Sequence, residues 1–584
     1  MAQQKQEELK RQKDIGQFFT PQEVVNFIYD MLTVHLDKEE KWKKGKFPSI
    51  IDPACGEGVF LKVALDKEIT KPIYVFGVDL DEKVKEKWIE INLLKSFGSK
   101  AELDIHFYHQ NGLLPLPEKT LRYKRGGLNQ YDLVVGNPPY GGVGLQVITR
   151  QLHDTLLKYE IWRRASKQNS NKQNDNAFLF EEMPENLSKD QEERLKKFPI
   201  EILFAERFIQ LCKPGGHIAI IIPDGILSNS NLHYAREFIS EKMKVNAIVS
   251  LPRETFKGAG TSAKTSILFM TKQKEEEKKA DDYKIFLASV EKLENIDKIY
   301  EYYKEVNQMN SSKKDLVKVI NDSQGNEVAM VRVDRTLKEM MGEKPSSRWN
   351  PEYWHPKFTI AEDTFISIKV SVKNVSDFEE FITYGPIVVG KEFKNEKDGV
   401  ILINQTEIGF TGLDFSKALR AKKDSPWVIE RAKPKNNDLL LARSGVGGVG
   451  KNKITIFNKN IEACVGCFVD ILRLKDINPF YVLVFWKGIY GWSQINKIIN
   501  GVGTVNISFD EIRSIKIPII ADKVQKNIES EYKKMSIYHD RAMETKAKGD
   551  EQGYKKNIGT AEKMLKELVA RTEAVIREEK EDVI

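Results

Sequence analysis

The tetrapeptide Asn137-Pro138-Pro139-Tyr140 contains residue types that can hold and activate an amino group, and it follows the strand-like run 131–136. An amine whose lone pair is delocalised into a ring is a poor nucleophile. Two hydrogen-bond acceptors that hold its hydrogens draw the lone pair out of conjugation. The Asn137 side-chain oxygen and the Pro138 carbonyl would be these acceptors, fixed by a rigid prolyl turn. The alternative is an ordinary strand-ending turn with a packed tyrosine.

A glycine-rich turn at the end of the first predicted strand is a second chemical signal. Its residues are Asp52-Pro53-Ala54-Cys55-Gly56-Glu57-Gly58. Glycines let the backbone approach a ligand closely, and the N-terminus of the helix that follows favours a polar or anionic group. The second strand ends at Asp79, where a carboxylate can accept ribose hydroxyls. Many nucleotide-binding sheets have such a turn, and Asp79 could instead cap the following helix.

Both motifs lie in a segment that reads as strands alternating with helices. Seven strands are predicted, at 49–52, 73–79, 104–108, 131–136, 217–222, 246–251 and 266–270. This alternation predicts an α/β fold with a doubly wound parallel sheet. The stretch SKQNSNKQNDN (166–176) is polar and low in complexity, which predicts a mobile surface loop.

The composition excludes several classes of protein. With 584 residues and 41% hydrophobic residues, the chain can form several domains with real cores. The apolar runs have strand length and the first fourteen residues are charged, so we expect no membrane helix, no signal peptide and a cytoplasmic location. A net charge of +7 permits a nucleic-acid partner without arguing for one. Cys464 and Cys467 have the spacing of half a zinc site, but nothing completes it, so no metal is predicted.

The character of the chain changes in its second half. Residues 272–345 are charged and contain one predicted strand, so they are expected to be a connector. From 346 to 520, short strands are separated by turn signals roughly every ten residues, which predicts an α+β domain. Residues 521–584 are rich in Lys and Glu and carry one apolar stripe per helix. That pattern predicts an antiparallel helical pair.

In their order along the chain, the motifs of residues 15–271 resemble the gamma-ordered adenine class of DNA amino-methyltransferases. They are GQFFTPQEVV (16–25), DPACGEGVFL (52–61), GVDLD (77–81), NPPY (137–140), LCKPGGHIAIIIPDGIL (211–227) and IVSLPRETFKGAGTSAKTSILFM (248–270). The last two are similar to catalytic subunits of type I restriction–modification methyltransferases. The resemblance implies a seven-stranded methyltransferase sheet over residues 1–271 and S-adenosylmethionine as the cofactor.

The resemblance also assigns cofactor-binding roles to individual residues. Asp52, Ala54, Gly56 and Gly58 would line the methionine part, Asp79 would take the ribose hydroxyls, and Thr20 with Pro21 would close over the cofactor. The family has an Asp after the third strand that receives the adenine amine of the cofactor. This chain has Asn111 there, whose side-chain oxygen can accept the same hydrogen bond.

For the substrate, the resemblance implies that Asn137 and Pro138 hold the exocyclic amine of an adenine, on a turn that Pro139 helps to fix. Tyr140 would stack on the base, which requires the adenine to be flipped out of the duplex. Phe256 would add an edge contact. The methyl group would pass in line from the sulfonium, without a covalent intermediate or a metal. The same tetrapeptide also occurs in enzymes that methylate protein glutamine.

Residues 346–520 resemble the target-recognition half of a type I restriction specificity subunit. The similar segments are RWNPEYWHP (348–356), ITYG (382–385), VILINQTEI (400–408), NNDLLLARSGVGGVGKN (436–452) and GVGTVNISFDEIRSIKIPI (501–519). Arg443 and Ser444 lie before a glycine-rich run and are predicted to contact DNA phosphates. The alternative is a plain strand-connecting loop. Residues 521–584 would be a helical spacer or dimerisation segment.

These features together predict a site-specific DNA adenine N6 methyltransferase of a restriction–modification or phage-defence system. Double-stranded DNA is the expected partner, and a restriction endonuclease or defence-system subunit is a further one. One recognition domain with one helical segment is half of a specificity subunit, so a homodimer through the C-terminal helices would rebuild the whole. Three alternatives stay open. They are a monomer whose helical stripes pack on the chain itself, a catalytically silent DNA-binding subunit, and a methyltransferase for RNA or protein glutamine.

Overall fold

The computed structural model describes most of the chain, and the described residues fall into two compact units. The described ranges are 19–36, 48–67, 74–81, 84, 88, 104–116, 127–140, 145, 148–169, 184–257, 263–274, 282–308, 316–342, 347–390, 393–443, 448–499 and 507–584. The N-terminal unit is Met1–Glu352 and the C-terminal unit is Tyr353–Ile584.

The N-terminal unit is built on one large mixed sheet. Its strands are β1 Ser49–Asp52, β2 Tyr74–Asp79, β3 Asp104–His109, β4 Tyr131–Gly136, β5 Cys212–Pro223, β6 Met243–Ser250, β7 Thr265–Lys272, β8 Phe286–Val290, β9 Val317–Asn321 and β10 Glu327–Arg332. The strand order is β3-β2-β1-β4-β5-β7-β6-β8-β10-β9. The first five strands in this order pair in parallel, and β7 runs antiparallel to both β5 and β6.

Helices connect these strands. They are α1 Gln22–Leu36, α2 Val59–Asp66, α3 Arg150–Leu156, α4 Ile161–Asn169, α5 Lys189–Lys196, α6 Ile200–Leu211, α7 Asp224–Ser228, α8 His233–Lys242, α9 Ile296–Gln308 and α10 Leu337–Met341. In α1 the buried residues include Val24, Phe27, Ile28 and Met31, whose spacing follows one helix face. They pack into the same apolar core as β1 and β4.

The strand order places the two chemical motifs next to each other. Asp52 at the end of β1 pairs with Gly77 on β2, and Ile51 pairs with Val134 on β4. The order of strands along the chain reverses between β1 and β4. The crevice outside the carboxyl ends of strands at such a reversal is where open α/β sheets bind ligands. The glycine-rich turn after β1 and the NPPY turn after β4 therefore begin on the two sides of this crevice.

All seven strands predicted for residues 49–270 are present, and the predicted fold class is confirmed. The sheet is nevertheless larger than the seven strands expected, because the segment 272–345 supplies β8, β9 and β10. β8 pairs with β6, and β10 pairs with β8 and β9. Three of the five side chains of β9 are exposed, whereas β8 and β10 are almost entirely buried. The predicted loop at 166–176 begins inside α4, and residues 170–176 lie outside the described part.

The C-terminal unit has an α+β architecture, as predicted. Its elements are α11 Pro356–Ile368, β11 Val372–Asn374, β12 Glu379–Tyr384, β13 Val400–Ile403, β14 Arg420–Ala421, β15 Leu439–Ala442, β16 Ile454–Ile456, β17 Ala463–Val465, β18 Val469–Leu474, α12 Pro479–Lys487, α13 Ile489–Ile499, α14 Phe509–Arg513, β19 Lys516–Pro518, α15 Asp522–Ala547 and α16 Glu551–Ile576. The sheets are ordered β12-β18-β15-β16, β14-β13-β17 and β11-β19. This one unit contains residues 353–520 and 521–584, which the sequence suggested were two separate segments. The described residues 347–352, which were assigned to the first of these segments, belong instead to the N-terminal unit.

The predicted helical pair is confirmed as α15 and α16, but its apolar stripes already have partners within the chain. Ile528 and Tyr532 of α15 and Leu565 of α16 are buried in one core with α12. The ring of Tyr532 lies 5.4 Å from that of Phe480 on α12. The stripes therefore do not need a second copy to cover them, and they give no support to dimerisation.

Lys487 at the end of α12 is a buried cation. It is 8% exposed, and its Nζ has no hydrogen-bond partner among the described residues. The Nζ lies 4.8 Å from the ring centroid of Phe410. Burial lowers the pKa of Lys487 to about 7. Since this value is below that of an unfolded lysine, the unfolded state binds more protons above pH 7, and the free energy of unfolding should rise with pH from about 7 to 10.

We expect Lys487→Met to raise the free energy of unfolding at pH 7 by about 2 kcal/mol and to flatten its dependence on pH, because the buried charge is removed. Denaturant unfolding of both proteins at pH 7, 8 and 9 measures this. Lys523→Met, at an exposed position of α15, is the control and should change neither quantity. A Lys487→Met variant that is less stable than the wild type would contradict this description of the site.

The described part of the chain contains neither a membrane-spanning helix nor a cluster of metal-ligating side chains. Among the described helices, none combines the length and apolar character needed to cross a membrane. The described residues also contain no group of three or more His, Cys, Asp or Glu side chains that could hold a metal ion. Cys464 is buried in β17, where its sulfur lies 3.7 Å from the Ile429 carbonyl oxygen.

Candidate active site

Asp52 ends β1 and is the most buried carboxylate of the crevice, with 1% exposure. Its Oδ1 accepts the Ala54 N–H at 3.0 Å, whereas Oδ2 has no hydrogen-bond partner among the described residues. Burial raises the pKa of Asp52 well above its usual range. The Ala54 N–H opposes this shift, and the charge of Asp79 adds to it. A buried polar atom without a partner is what a bound polar group would satisfy.

The glycine-rich turn adopts the backbone that its glycines allow. Gly56 and Gly58 have φ of +49° and +82°, in the left-handed region that favours glycine, and Gly58 precedes α2. Trp88 packs against this turn. Its indole N–H donates to the Gly56 carbonyl at 3.1 Å, and a Cβ on Gly77 would lie 2.6 Å from its ring. The Trp88 side chain therefore stabilises the turn through one hydrogen bond and the packing of its ring.

Asp79 ends β2 and braces the same turn. Its Oδ2 accepts the Gly56 N–H at 2.8 Å, and its Oδ1 accepts the Asp81 N–H at 2.8 Å. Burial raises the pKa of Asp79, and these two backbone donors oppose the shift. A carboxylate has about four lone-pair sites, so acceptor capacity remains for hydroxyl groups. Asp79 thus braces the glycine-rich turn and can still accept a ribose, while the start of the helix that it was alternatively predicted to cap lies outside the described residues.

Asn111 lies in the loop after β3 and keeps part of its acceptor capacity. Its Oδ1 accepts the Leu113 N–H at 3.0 Å, and a carbonyl oxygen has a second lone pair. The next residue, Gly112, packs against the glycine-rich turn so closely that a Cβ there would lie 1.8 Å from the Pro53 carbonyl oxygen. This close approach fixes the loop of Asn111 against the turn after β1.

A buried arginine fixes the same loop from α6. Arg207 is 2% exposed, and its guanidinium donates to the carbonyls of Gly112 at 3.1 Å and Leu114 at 2.7 Å. The Tyr159 hydroxyl donates to the Leu113 carbonyl, at 3.1 Å. Three consecutive carbonyls of the loop are therefore held by side chains from the segment between β4 and β5.

Asn137 of the NPPY turn is bonded to Thr20, which was predicted to close over the cofactor together with Pro21. Its Nδ2 donates to Thr20 Oγ1 at 3.1 Å, although 117 residues separate the two in sequence. The Pro21 carbonyl then accepts the Val24 N–H at 3.0 Å and starts α1. In this arrangement the amide nitrogen of Asn137 faces the Thr20 hydroxyl, and the amide oxygen is the end that can act as an acceptor.

We expect Thr20→Val to lower kcat for methyl transfer about tenfold, because the Asn137 amide loses the bond that orients it. The shape of the side chain is nearly kept, so cofactor affinity should change little. Single-turnover kinetics and calorimetric titration with S-adenosylmethionine measure the two quantities. Thr33→Val is the matched control, because the Thr33 hydroxyl lies on α1, which Thr20 precedes, and donates to the Asp30 carbonyl. Wild-type kcat in the Thr20→Val variant would refute the orienting role of Thr20.

Tyr140 and Phe256 meet edge to face, with ring centroids 6.3 Å apart and planes at 80°. Both rings are buried, with exposures of 0% and 1%. Burial raises the pKa of Tyr140, and a hydrogen bond with Asn137 opposes the shift. The structure thus brings these two predicted substrate residues together. Their contact with a base stays a prediction, and it requires the face of Tyr140 to become accessible.

In the C-terminal unit, Arg443 is engaged internally. Its Nε lies 3.6 Å from Asp470 Oδ1, and its guanidinium carbon lies 4.3 Å from the ring centroid of Tyr384 and 5.4 Å from that of Phe509. Burial raises the pKa of Asp470 to about 7, and the charge of Arg443 opposes this. The predicted phosphate contact of Arg443 stays a prediction, and Ser444 lies outside the described residues.

Several residues that build the site were not predicted from the sequence. Trp88, Arg207 and Tyr29 belong to no motif, and their partners are distant along the chain. Tyr29 of α1 is buried near Asp52, whose charge adds to burial in raising the pKa of the tyrosine. Its hydroxyl has no hydrogen-bond partner among the described residues. The sequence contained one signal for the packing of the loop after β3. It is the dipeptide Asn111-Gly112, which is typical of a turn and whose glycine allows the close approach to Pro53.

Comparison with known proteins identifies a family for this chain. The family model described as N-6 DNA Methylase matches residues 7–329. The methylase subunit of the type I restriction enzyme EcoEI from Escherichia coli is 25% identical over 283 residues, which are 45% of this chain and 44% of that protein. The methylase subunit of the type I restriction enzyme StySPI from Salmonella potsdam is 24% identical over 269 residues, which are 44% of this chain and 40% of that protein.

The matched region thus spans less than half the length of either relative. Among solved structures, the M protein of the type I restriction enzyme EcoKI is 16% identical, with a TM-score of 0.34, and the match covers 57% of this chain and 65% of that one. This structural likeness is too weak to bear on function. The family model, in contrast, covers more than half of the chain. The chain therefore belongs to the N-6 DNA methylase family.

Proposed function

We propose that this protein is a site-specific DNA adenine methyltransferase of a restriction–modification or phage-defence system. Its substrate would be the N6 amine of an adenine flipped out of double-stranded DNA. The observation that carries the proposal is the Asn137–Thr20 bond. It places an oriented amide at the end of β4, across the crevice from the glycine-rich turn after β1, where a methyl donor would be held.

The cofactor is S-adenosylmethionine, which supplies an electrophilic methyl group, and the residues of the crevice fit it. Asp52 Oδ2 is a buried acceptor without a partner among the described residues, suited to the ammonium of a methionine part. Asp79 retains acceptor capacity for ribose hydroxyls. The left-handed Gly56 and Gly58 allow the backbone to approach a ligand closely.

The NPPY turn would activate the amine. The oxygen of Asn137 and the carbonyl of Pro138 would accept its two hydrogens and draw the lone pair out of conjugation. Thr20 keeps the amide oriented, so little reorganisation is needed at the moment of reaction. Tyr140 would stack on the base after its ring becomes accessible, with Phe256 supporting it edge-on.

For the C-terminal unit we propose target recognition at one edge of its four-stranded sheet. At this edge β12 and β15 end and β18 begins, because Tyr384 pairs with Asp470 and Ala442 pairs with Val469. The Gly466 N–H donates to the Ile403 carbonyl at 2.9 Å, which brings the end of β13 there as well. The segments that follow or precede these strand ends form what we call the loop edge. Its described residues are 385–390, 404–407, 443, 448–453 and 466–468.

The described side chains of the loop edge combine apolar and basic groups. Ile387, Val389 and Phe468 are 68%, 83% and 58% exposed. Lys451 is an exposed cation of this edge. The exposed Arg431 lies beside it, because its guanidinium donates to the Thr383 hydroxyl at 2.7 Å and to the Tyr384 carbonyl at 2.6 Å, at the end of β12. The acidic residues Glu407 and Asp470 at this edge are buried. Cations for phosphates together with apolar groups for base edges favour DNA as the partner.

The proposal of partners beyond DNA is supported by the relatives. Two of them are methylase subunits of restriction enzymes, so we propose a restriction endonuclease or a defence-system subunit as a functional partner. A homodimer would have to use surfaces other than the buried stripes of α15 and α16. Light scattering at micromolar concentration, with and without DNA, distinguishes a dimer from a monomer.

Parallel transfer of tritiated methyl from S-adenosylmethionine to DNA, RNA and total protein tests the proposal. We expect label in DNA alone, recovered as N6-methyladenine after digestion. Label in protein or RNA instead would point to the rival substrates that share the NPPY turn. Cofactor binding without any transfer would identify a silent DNA-binding subunit. Either result would refute the proposed activity.

A further inference from the structure

The segment 347–352 ends the N-terminal unit and lies on the carboxyl edge of its sheet. The Trp349 N–H donates to the Leu227 carbonyl at 2.8 Å, next to the end of β5. Glu352 accepts hydrogen bonds from the Ser250 hydroxyl at the end of β6 and from Lys264 Nζ, which lies 2.9 Å away just before β7. Residues 349 to 352 are thus anchored to α7, which directly follows β5, to the end of β6 and to the residue before β7.

Between these anchors lies a polar side chain whose hydrogen-bonding capacity is unused. Asn350 is 0% exposed, and neither its Oδ1 nor its Nδ2 has a partner among the described residues. The Trp349 indole nitrogen and Glu352 Oε2, on the same segment, are also buried without a partner in the described part of the chain. Leaving a buried amide unpaired destabilises the fold, so a position that keeps one needs an explanation such as a ligand.

The segment shares its surroundings with the proposed base site. Ser250 and Lys264 flank the residues between β6 and β7, and Lys264 Nζ also donates to the Leu251 carbonyl at 2.6 Å. The same connection carries Phe256, whose ring contacts Tyr140 of the NPPY turn. Glu352 therefore holds the Asn350 segment to the base of the connection that supports the substrate tyrosine.

We propose that Asn350 is a substrate-binding residue that hydrogen-bonds the edge of the flipped adenine. This inference rests on the proposed function, since the flipped base is the polar ligand that the reaction brings to this edge. An amide offers one donor group and one acceptor, and adenine presents a matching pair on its edges, as Asn does when it contacts adenine in a groove. Glu352 is the positioning residue that anchors the segment.

Asn350→Leu separates this role from a structural one. Leucine has nearly the same shape and needs no hydrogen bond, so we expect Tm to rise by roughly 2–4 °C. We expect kcat/KM on plasmid DNA to fall about tenfold or more, because the base loses its partner. The affinity for S-adenosylmethionine, measured by calorimetry, should stay the same. Higher stability together with lower activity is the expected signature of a residue kept for substrate binding.

The matched control is Asn246→Leu on β6, because the Asn246 amide is already paired with the Thr271 hydroxyl at 2.6 Å. That variant should lose stability and keep its activity. Wild-type activity in the Asn350→Leu variant would show that the amide contacts no substrate, and a lower Tm would show that it has a structural partner. Either result overturns the inference while the wild-type enzyme still methylates DNA. A wild-type enzyme that labels no DNA contradicts the proposed function itself.

Discussion

Asn137→Ala should reduce methyl transfer to DNA by at least about a hundredfold, because the amine loses an oriented acceptor at which charge develops in the transition state. Cofactor affinity should stay close to that of the wild type, since Asp52 and Asp79, which carry the proposed contacts with the methionine and ribose parts, lie at the ends of β1 and β2. Single-turnover transfer and calorimetric titration with S-adenosylmethionine measure the two effects separately.

Comparison with the Thr20→Val variant separates the orientation of the Asn137 amide from its role as an acceptor. Thr20 only orients the amide through one hydrogen bond, so its loss should cost less than the loss of the amide. Transfer within tenfold of the wild-type rate in the Asn137→Ala variant would refute the catalytic assignment. An equal loss of transfer rate in both variants would mean that the rate depends on the hydrogen bond between Asn137 and Thr20 and not on the acceptor oxygen of Asn137.

Ending the chain after Glu352 should leave a folded unit that binds S-adenosylmethionine and has lost sequence-specific methylation. The boundary follows from the structure, because the second compact unit begins at Tyr353. Circular dichroism, calorimetric titration and methylome sequencing measure folding, cofactor binding and specificity. A truncated enzyme that still modifies the same motif would place specificity in the N-terminal unit.

A chain that ends after Pro345 provides a second comparison for this truncation. It lacks Trp349 and Glu352, and therefore the bonds to Leu227 and Lys264. We expect it to have a lower Tm than the chain ending after Glu352. Equal stability would mean that the segment 347–352 contributes nothing to the N-terminal unit.

Short-range chemistry made much of the site predictable from the sequence. Asp52 and Asp79 each end a strand-like run and Asn137 follows one, and parallel strands place their carboxyl ends at one edge of a sheet. Those patterns are local, so they could be read without knowing which elements pack together. The same reasoning predicted the seven strands of the methyltransferase sheet, all of which are present.

What the sequence did not reveal depends on packing partners that are distant along the chain. Arg207 reads as one more helical arginine, yet it holds the loop of Asn111 through the Gly112 and Leu114 carbonyls. The apolar stripe of α15 predicts that it is buried but not against what, and its partner proved to be α12. Asn350 gave no signal, because an unsatisfied amide is visible only when its surroundings are known.

Long-read sequencing of DNA from a strain that expresses the protein, read for methylated bases, tests the central claim most directly. A strain expressing the Asn137→Ala variant is the control. We predict N6-methyladenine at nearly every copy of one sequence motif in the first strain and at none in the second. An absence of N6-methyladenine in both strains, despite a folded protein that binds S-adenosylmethionine, would contradict the account.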